Sequence, residues 1–198
     1  MLWIVIPLKA PPQAKSRLAG VLSDAERAAL VERMARRTIA LARDAAPRAT
    51  VVLVSRSTDF RAMAQGLGAQ ALADDATGLN RALTGAAATI PPEDAMLVLP
   101  ADLPLLTAED IVALVDVKAD CVVAPDRLRQ GTNALYWRCA PRVFRFGRTS
   151  FAAHQQAARE QGRTVEIIDR PGLAFDLDEP QDLRELTRLD SLSMKGSS

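Results

Sequence analysis

Histidine is almost missing from this chain, with His154 the single imidazole in 198 residues. A zinc centre built on His and Cys is therefore excluded in practice. Cysteine is scarce too. Cys121 and Cys139 sit in apolar, strand-like contexts with no Cys-x-x-Cys pair, and are expected as reduced core residues. Aromatics make up 4% of the chain and are not interleaved with basic residues, so there is no stacking platform for nucleic acid. Neither sign of charge dominates: 25 Lys+Arg against 24 Asp+Glu leave a net charge of +1, and no bulk field recruits nucleic acid or a membrane surface. No apolar run approaches a membrane span, and the Gly-x-x-x-x-Gly-Lys-[Ser/Thr] pattern of a P-loop is absent. Met1 leads into the first apolar run with no charged leader or signal-peptide core, so the cytoplasm is the expected location.

What is present is an ordinary globular composition, 48% hydrophobic and 25% charged, in a length suited to one domain. Leu2–Ile6 is a β-branched and aromatic run closed by Pro7, and reads as a buried strand. Ser23-Asp24-Ala25-Glu26 is a capping box opening a helix to about Ala45. Thr50–Ser55 reads as a strand, Thr58–Gly66 as a short helix, Gln70–Ala73 as a strand, and Leu79 to about Thr89 as a helix. Ala95–Leu99 follows as a strand, Thr107 caps a further helix, and Asp120–Pro125 and Thr132–Trp137 are two more strands. A helix containing His154 and a closing helix from Pro180 to about Leu189 complete the pattern. This alternation predicts a single α/β domain, residues 1–190, with a doubly wound, mostly parallel, Rossmann-like sheet. Residues 191–198 are expected as a disordered tail.

Charged residues gather just beyond the strands. Lys9, Lys15 and Arg17 lie in a loop that Pro11 and Pro12 keep non-helical. Open α/β sheets place ligands there, and three cations suit a polyphosphate; a solvated basic loop is the plain alternative. Asp102, between Pro100 and Pro104, is placed to ligate a metal ion or to make an Asx turn. Asp176 and Asp178 share one face of an extended segment. A helix N-cap explains Asp178 or Glu179 but leaves Asp176 without a role. Gly147, with Thr149 or Ser150 capping the following helix, fits an anion site or an ordinary capped helix equally. His154, four residues after Ser150, either braces that site or is a surface or packing histidine.

Six segments, in this order and spacing, resemble the CofC family of guanylyltransferases in the MobA-like nucleotidyltransferase superfamily. They are IPLK with KSRL (6–9 and 15–18), GLNRAL (78–83), LPADLPLL (99–106), GTNAL (131–135), FGRTSFAAH (146–154) and FDLDEPQDL (175–183). The likeness runs from Ile4 to Leu186. It implies the nucleotide-diphospho-sugar transferase fold and transfer of GMP from GTP to a phosphorylated three-carbon acid. That acceptor would be 2-phospho-L-lactate, phosphoenolpyruvate or 3-phospho-D-glycerate, in biosynthesis of the deazaflavin coenzyme F420. By resemblance, Thr132, Gly147 and Ser150 bind the acceptor, and Asp102, Asp176 and Asp178 hold one or two Mg²⁺ ions. Lys9, Lys15 and Arg17 face the GTP phosphates, with Lys15, Arg17 and Asp102 the catalytic groups, and Asn80 touches the nucleotide. A labile product implies hand-off to the downstream transferase. The first loop lacks the Gly-rich pattern of MobA itself, which disfavours a molybdenum-cofactor role.

The chemistry agrees with this. An acceptor phosphate with a second pKa of ~6 is already ionised near neutrality, so it attacks the α-phosphorus without a general base. Positioning, Mg²⁺ and aligned cations supply the rest. The rival readings are a MobA-like or GT-A transferase with another acceptor, and a nucleotide-binding domain without catalysis.

Overall fold

Alternate residues of a strand face opposite sides of a sheet, and here both sides are apolar. A computed structural model describes residues 1–10, 14–74 and 77–195, the last six of these (190–195) as backbone alone. Pro11 and Pro12, and the conformation expected of them, lie outside the described residues, as do residues 196–198 of the expected tail. Seven strands, β1 (Leu2–Pro7), β2 (Thr50–Ser55), β3 (Gln70–Ala73), β4 (Ala95–Val98), β5 (Cys121–Pro125), β6 (Thr132–Trp137) and β7 (Val165–Ile167), form one sheet in the order β3-β2-β1-β4-β6-β5-β7. β6 runs antiparallel to β4 and β5, and the other pairings are parallel. The helices are α1 (Asp24–Ala45), α2 (Thr58–Gly66), α3 (Leu79–Ala88), α4 (Ala108–Val115), α5 (Ser150–Glu160), α6 (Pro171–Ala174) and α7 (Pro180–Lys195).

Ile4, Ile6, Leu53 and Leu97 cluster with residues of α1, α2 and α4, whereas Val5, Val52, Met96 and Val98 cluster with α3 and α5. Burial on both faces is why these strands read as continuous apolar runs. Capping boxes at Ser23 and Thr107 start α1 and α4 as their sequences require. The expected single α/β domain with a mostly parallel sheet is present. α7 runs on to Lys195, past the expected end near Leu189, because leucines at 183, 186, 189 and 192 keep the helical spacing. Among the described residues no helix is long and apolar enough to cross a membrane.

Candidate active site

A cavity of about 670 Å³ opens beyond the carboxyl ends of β1 and β4, where such sheets bind ligands. Lys9, Lys15 and Arg17 line it, as do Asp102, Asp176 and Asp178, and Thr132 with Asn133. A larger, open groove of about 930 Å³ between α1 and α2 holds none of these residues. Asn80, Gly147 and Ser150 do not line the cavity, although their neighbours Leu79 and Phe146 do.

The basic loop closes on Ser16–Leu18, a single 3₁₀ turn, preceded by Lys15 at φ 54° and ψ 39°. Lys15 Nζ donates to Asp102 Oδ2 at 2.6 Å and to Asp178 Oδ1 at 2.8 Å. Arg17 Nη1 donates to the other oxygen of Asp178 at 3.3 Å. Burial works against the charge on Lys15, but Asp102 and then Asp178 outweigh it and hold its pKa above the ordinary value. Asp176 is half-buried. Burial first, then the charges of Asp102 and Asp178, push its pKa up.

A small apolar cluster holds these groups together. Leu18 of the basic loop and Leu177, between the two aspartates, are both fully buried and pack with Leu30 and Met34 of α1. The Leu177 backbone N–H donates to Asp102 O at 3.0 Å, tying the two acidic segments to each other. Asp182 completes the arrangement: its Oδ2 accepts from the backbone N–H groups of Asp178 (2.8 Å) and Glu179 (2.7 Å). The side chain that satisfies the start of α7 is therefore Asp182, three residues past the N-cap position, and the Asp178 carboxylate is left for Lys15 and Arg17. Arg127 secures Asp182 in turn at 2.5 Å and lies over the Phe175 ring, 4.5 Å from its centroid. The sequence signal for Asp182 was its position at the third residue of a helix that begins with Pro180.

Asp102, Asp176 and Asp178 are the carboxylates expected to hold one or two Mg²⁺ ions. Among the described residues no three His, Cys, Asp or Glu gather closely enough to hold an ion, and the Lys15 ammonium joins Asp102 to Asp178. The donor chemistry nevertheless fits Mg²⁺, which is usually held by one or two carboxylates plus substrate phosphates.

On the other side of the chemistry, β6 supplies Thr132 and Asn133. Asn133 Nδ2 donates to the carbonyls of Leu173 (2.9 Å) and Ala174 (3.2 Å), and its side chain reaches Asp176. Thr132 Oγ1 lies 2.9 Å from His154 Nδ1. His154 is wholly buried, so the surface reading of this histidine is wrong. Its ring meets Phe146 edge-on, centroids 4.8 Å apart. Asn80 spends its amide on the Phe146 backbone, accepting from its N–H at 2.8 Å and donating to its carbonyl at 3.1 Å. It thus pins the loop entering α5. Gly147 follows with φ 156°. Ser150 is the first residue of α5, and neither it nor Thr149 caps that helix through its side chain. Gly78, at φ 95°, precedes α3 in a conformation that essentially only glycine adopts.

Residues 2–191 match the family model described as "Guanylyl transferase CofC like". The phosphoenolpyruvate guanylyltransferase of Chloroflexus aggregans is 44% identical over 194 residues, covering 93% of this chain and 96% of that one. The 3-phospho-D-glycerate guanylyltransferase of Phenylobacterium zucineum is 39% identical, covering 88% and 84%. Of solved structures, one described as a nucleotide-diphospho-sugar transferase from Desulfovibrio desulfuricans superposes with a TM-score of 0.73 at 16% identity, covering 96% of this chain and 87% of that one. A Mycobacterium tuberculosis protein crystallised with manganese gives 0.56 at 17%, covering 93% and 96%. These two likenesses concern the fold. The family match spans the sheet from β1 into α7, and the relatives match over most of their own lengths, so the chain belongs to the CofC-like family of guanylyltransferases.

Proposed function

We propose that this protein transfers GMP from GTP to the phosphate of phosphoenolpyruvate, 2-phospho-L-lactate or 3-phospho-D-glycerate, with release of pyrophosphate. The observation that carries the reading is a single cavity lined by four cations (Lys9, Lys15, Arg17 and Arg56), four carboxylates (Asp74, Asp102, Asp176 and Asp178) and the Thr132–Asn133 pair. An acceptor phosphate oxygen forms the new bond to the α-phosphorus of GTP as the bond to the pyrophosphate oxygen breaks. No base is needed, since the acceptor phosphate is ionised near neutral pH, its second pKa being ~6. Lys9, Lys15 and Arg17 offset charge on the leaving pyrophosphate. Thr132 and Asn133 orient the acceptor, with Gly147 and Ser150 shaping the turn beyond Phe146. Asp102, Asp176 and Asp178 would hold Mg²⁺, which when bound shields and orients the phosphates. Its product, a labile mixed phosphate anhydride, suits prompt use by the next transferase of coenzyme F420 biosynthesis.

The test is to incubate purified protein with Mg²⁺, GTP and each acceptor separately, following pyrophosphate and product mass. Phosphoenolpyruvate comes first, as the substrate named for the relative at 44% identity. A GMP adduct with one acceptor is the expected result. GTP binding without pyrophosphate from any of them would shift the reading to another acceptor or to a non-catalytic domain.

A further inference from the structure

We infer that His154 is a positioning residue for the acceptor: as its neutral Nδ1–H tautomer it donates to Thr132 Oγ1, which commits the Thr132 hydroxyl proton to the cavity. The identity of the acceptor rests on the guanylyl-transfer reading, but the tautomer does not.

The assignment follows from what each atom can do. The backbone N–H of Arg145 donates to His154 Nε2 at 2.8 Å. An amide N–H only donates, so Nε2 offers its lone pair and a neutral ring carries its proton on Nδ1. That Nδ1 lies 2.9 Å from Thr132 Oγ1, so the threonine oxygen accepts. Its own single proton is then free for another partner, and Thr132 lines the cavity while only 7% exposed. An anionic oxygen of the acceptor, such as its carboxylate, meets a donor there. With the other tautomer the hydroxyl would spend its proton on the ring and present lone pairs to the anion. The ring cannot rotate out of this role, since it is fully buried against Phe146, whose backbone Asn80 holds at both its N–H and its carbonyl. Burial first, then the Arg145 charge, hold the His154 pKa down at about 4, so the ring stays neutral at working pH.

Two substitutions separate the two nitrogens. His154→Asn keeps an N–H donor near the Nδ1 position, and His154→Gln keeps an acceptor near Nε2 but loses that donor. Loss of one hydrogen bond to an anion corresponds to a KM change of ~10-fold. H154Q and Thr132→Val are therefore expected to raise the acceptor KM about 10-fold each, with the GTP KM unchanged. H154N should stay within about 3-fold, and the double variant T132V/H154Q should be no worse than T132V alone. Equal effects of H154N and H154Q, additive losses in the double variant, or a matching rise in the GTP KM would overturn the inference. Because the chain has a single histidine, ¹⁵N NMR of the untagged protein reads the tautomer directly, whatever the variants do to folding. A proton on Nε2 refutes the assignment. A protein with the proton on Nδ1 that transfers GMP to no acceptor overturns the guanylyl-transfer reading and the acceptor role of Thr132 with it, while the tautomer stands.

Discussion

Lys15 shows how much of this site is decided by single side chains. Its left-handed backbone costs an L-residue about 1–2 kcal/mol, a cost that persists where surroundings over-determine it. Here two carboxylates at 2.6 and 2.8 Å do so. Asp176 sits half-buried beside two like charges. Asp176→Asn should therefore leave folding intact or slightly stabilised, while lowering turnover on the order of 10²-fold; unchanged kcat would remove Asp176 from the chemistry. His154 makes a prediction of pH dependence. The unfolded chain protonates this residue near 6.5 and the folded chain only near 4, so below 6.5 the unfolded state binds the extra proton. The stability tied to the neutral ring is fully present above pH 6.5 and is lost as pH falls through 4, by roughly 2–3 kcal/mol. Denaturant unfolding at pH 7.5 and 4.5 should show that loss in the wild-type protein and not in H154N.

At the scale of elements, the site depends on a joint between the basic loop, α1 and the acidic segment before α7. Leu18 and Leu177 are fully buried in that joint. Leu177→Ala should cost about 2–5 kcal/mol, and because Leu177 stands between Asp176 and Asp178 it should depress activity even where the protein remains folded. Retained kcat at matched folded fraction would show that the joint does not place the acids. Elements with strong local signals were legible in the sequence: β1, β2, β4, β5 and β6 from apolar runs, α1 and α4 from capping boxes. β7 was not, because its three residues are largely exposed at the sheet edge and held by parallel pairing to β5. α6 is a four-residue turn with the same difficulty. Asp182 escaped because a capping side chain that reaches back to two N–H groups looks, in sequence, like any acid in a first turn.

Across the whole molecule, the order β3-β2-β1-β4-β6-β5-β7 brings residues from the first and last parts of the chain to one end of the sheet. A ligand bound there joins segments that separate on unfolding, so it should stabilise the fold as a unit. GTP at about 100 times its dissociation constant adds ~2.7 kcal/mol, or roughly 5–10 °C in Tm for a domain of this size. Thermal scans with GTP and CTP check this, and an equal rise with both would argue against guanine as the preferred base.

The sequence by itself determined the α/β class, the parallel layering and the one-sided placement of Asp176 and Asp178. Each of these follows from local periodicity, capping and turn chemistry, which act over a few residues. Only the tertiary structure decided that Lys15 joins Asp102 to Asp178, that Asn80 holds Phe146, and that His154 faces Thr132. These partners stand 87, 163, 66 and 22 residues apart. Their meeting depends on strand order and helix placement, which hydrophobic patterns leave open, and on buried polar groups that must each find a partner once water is gone.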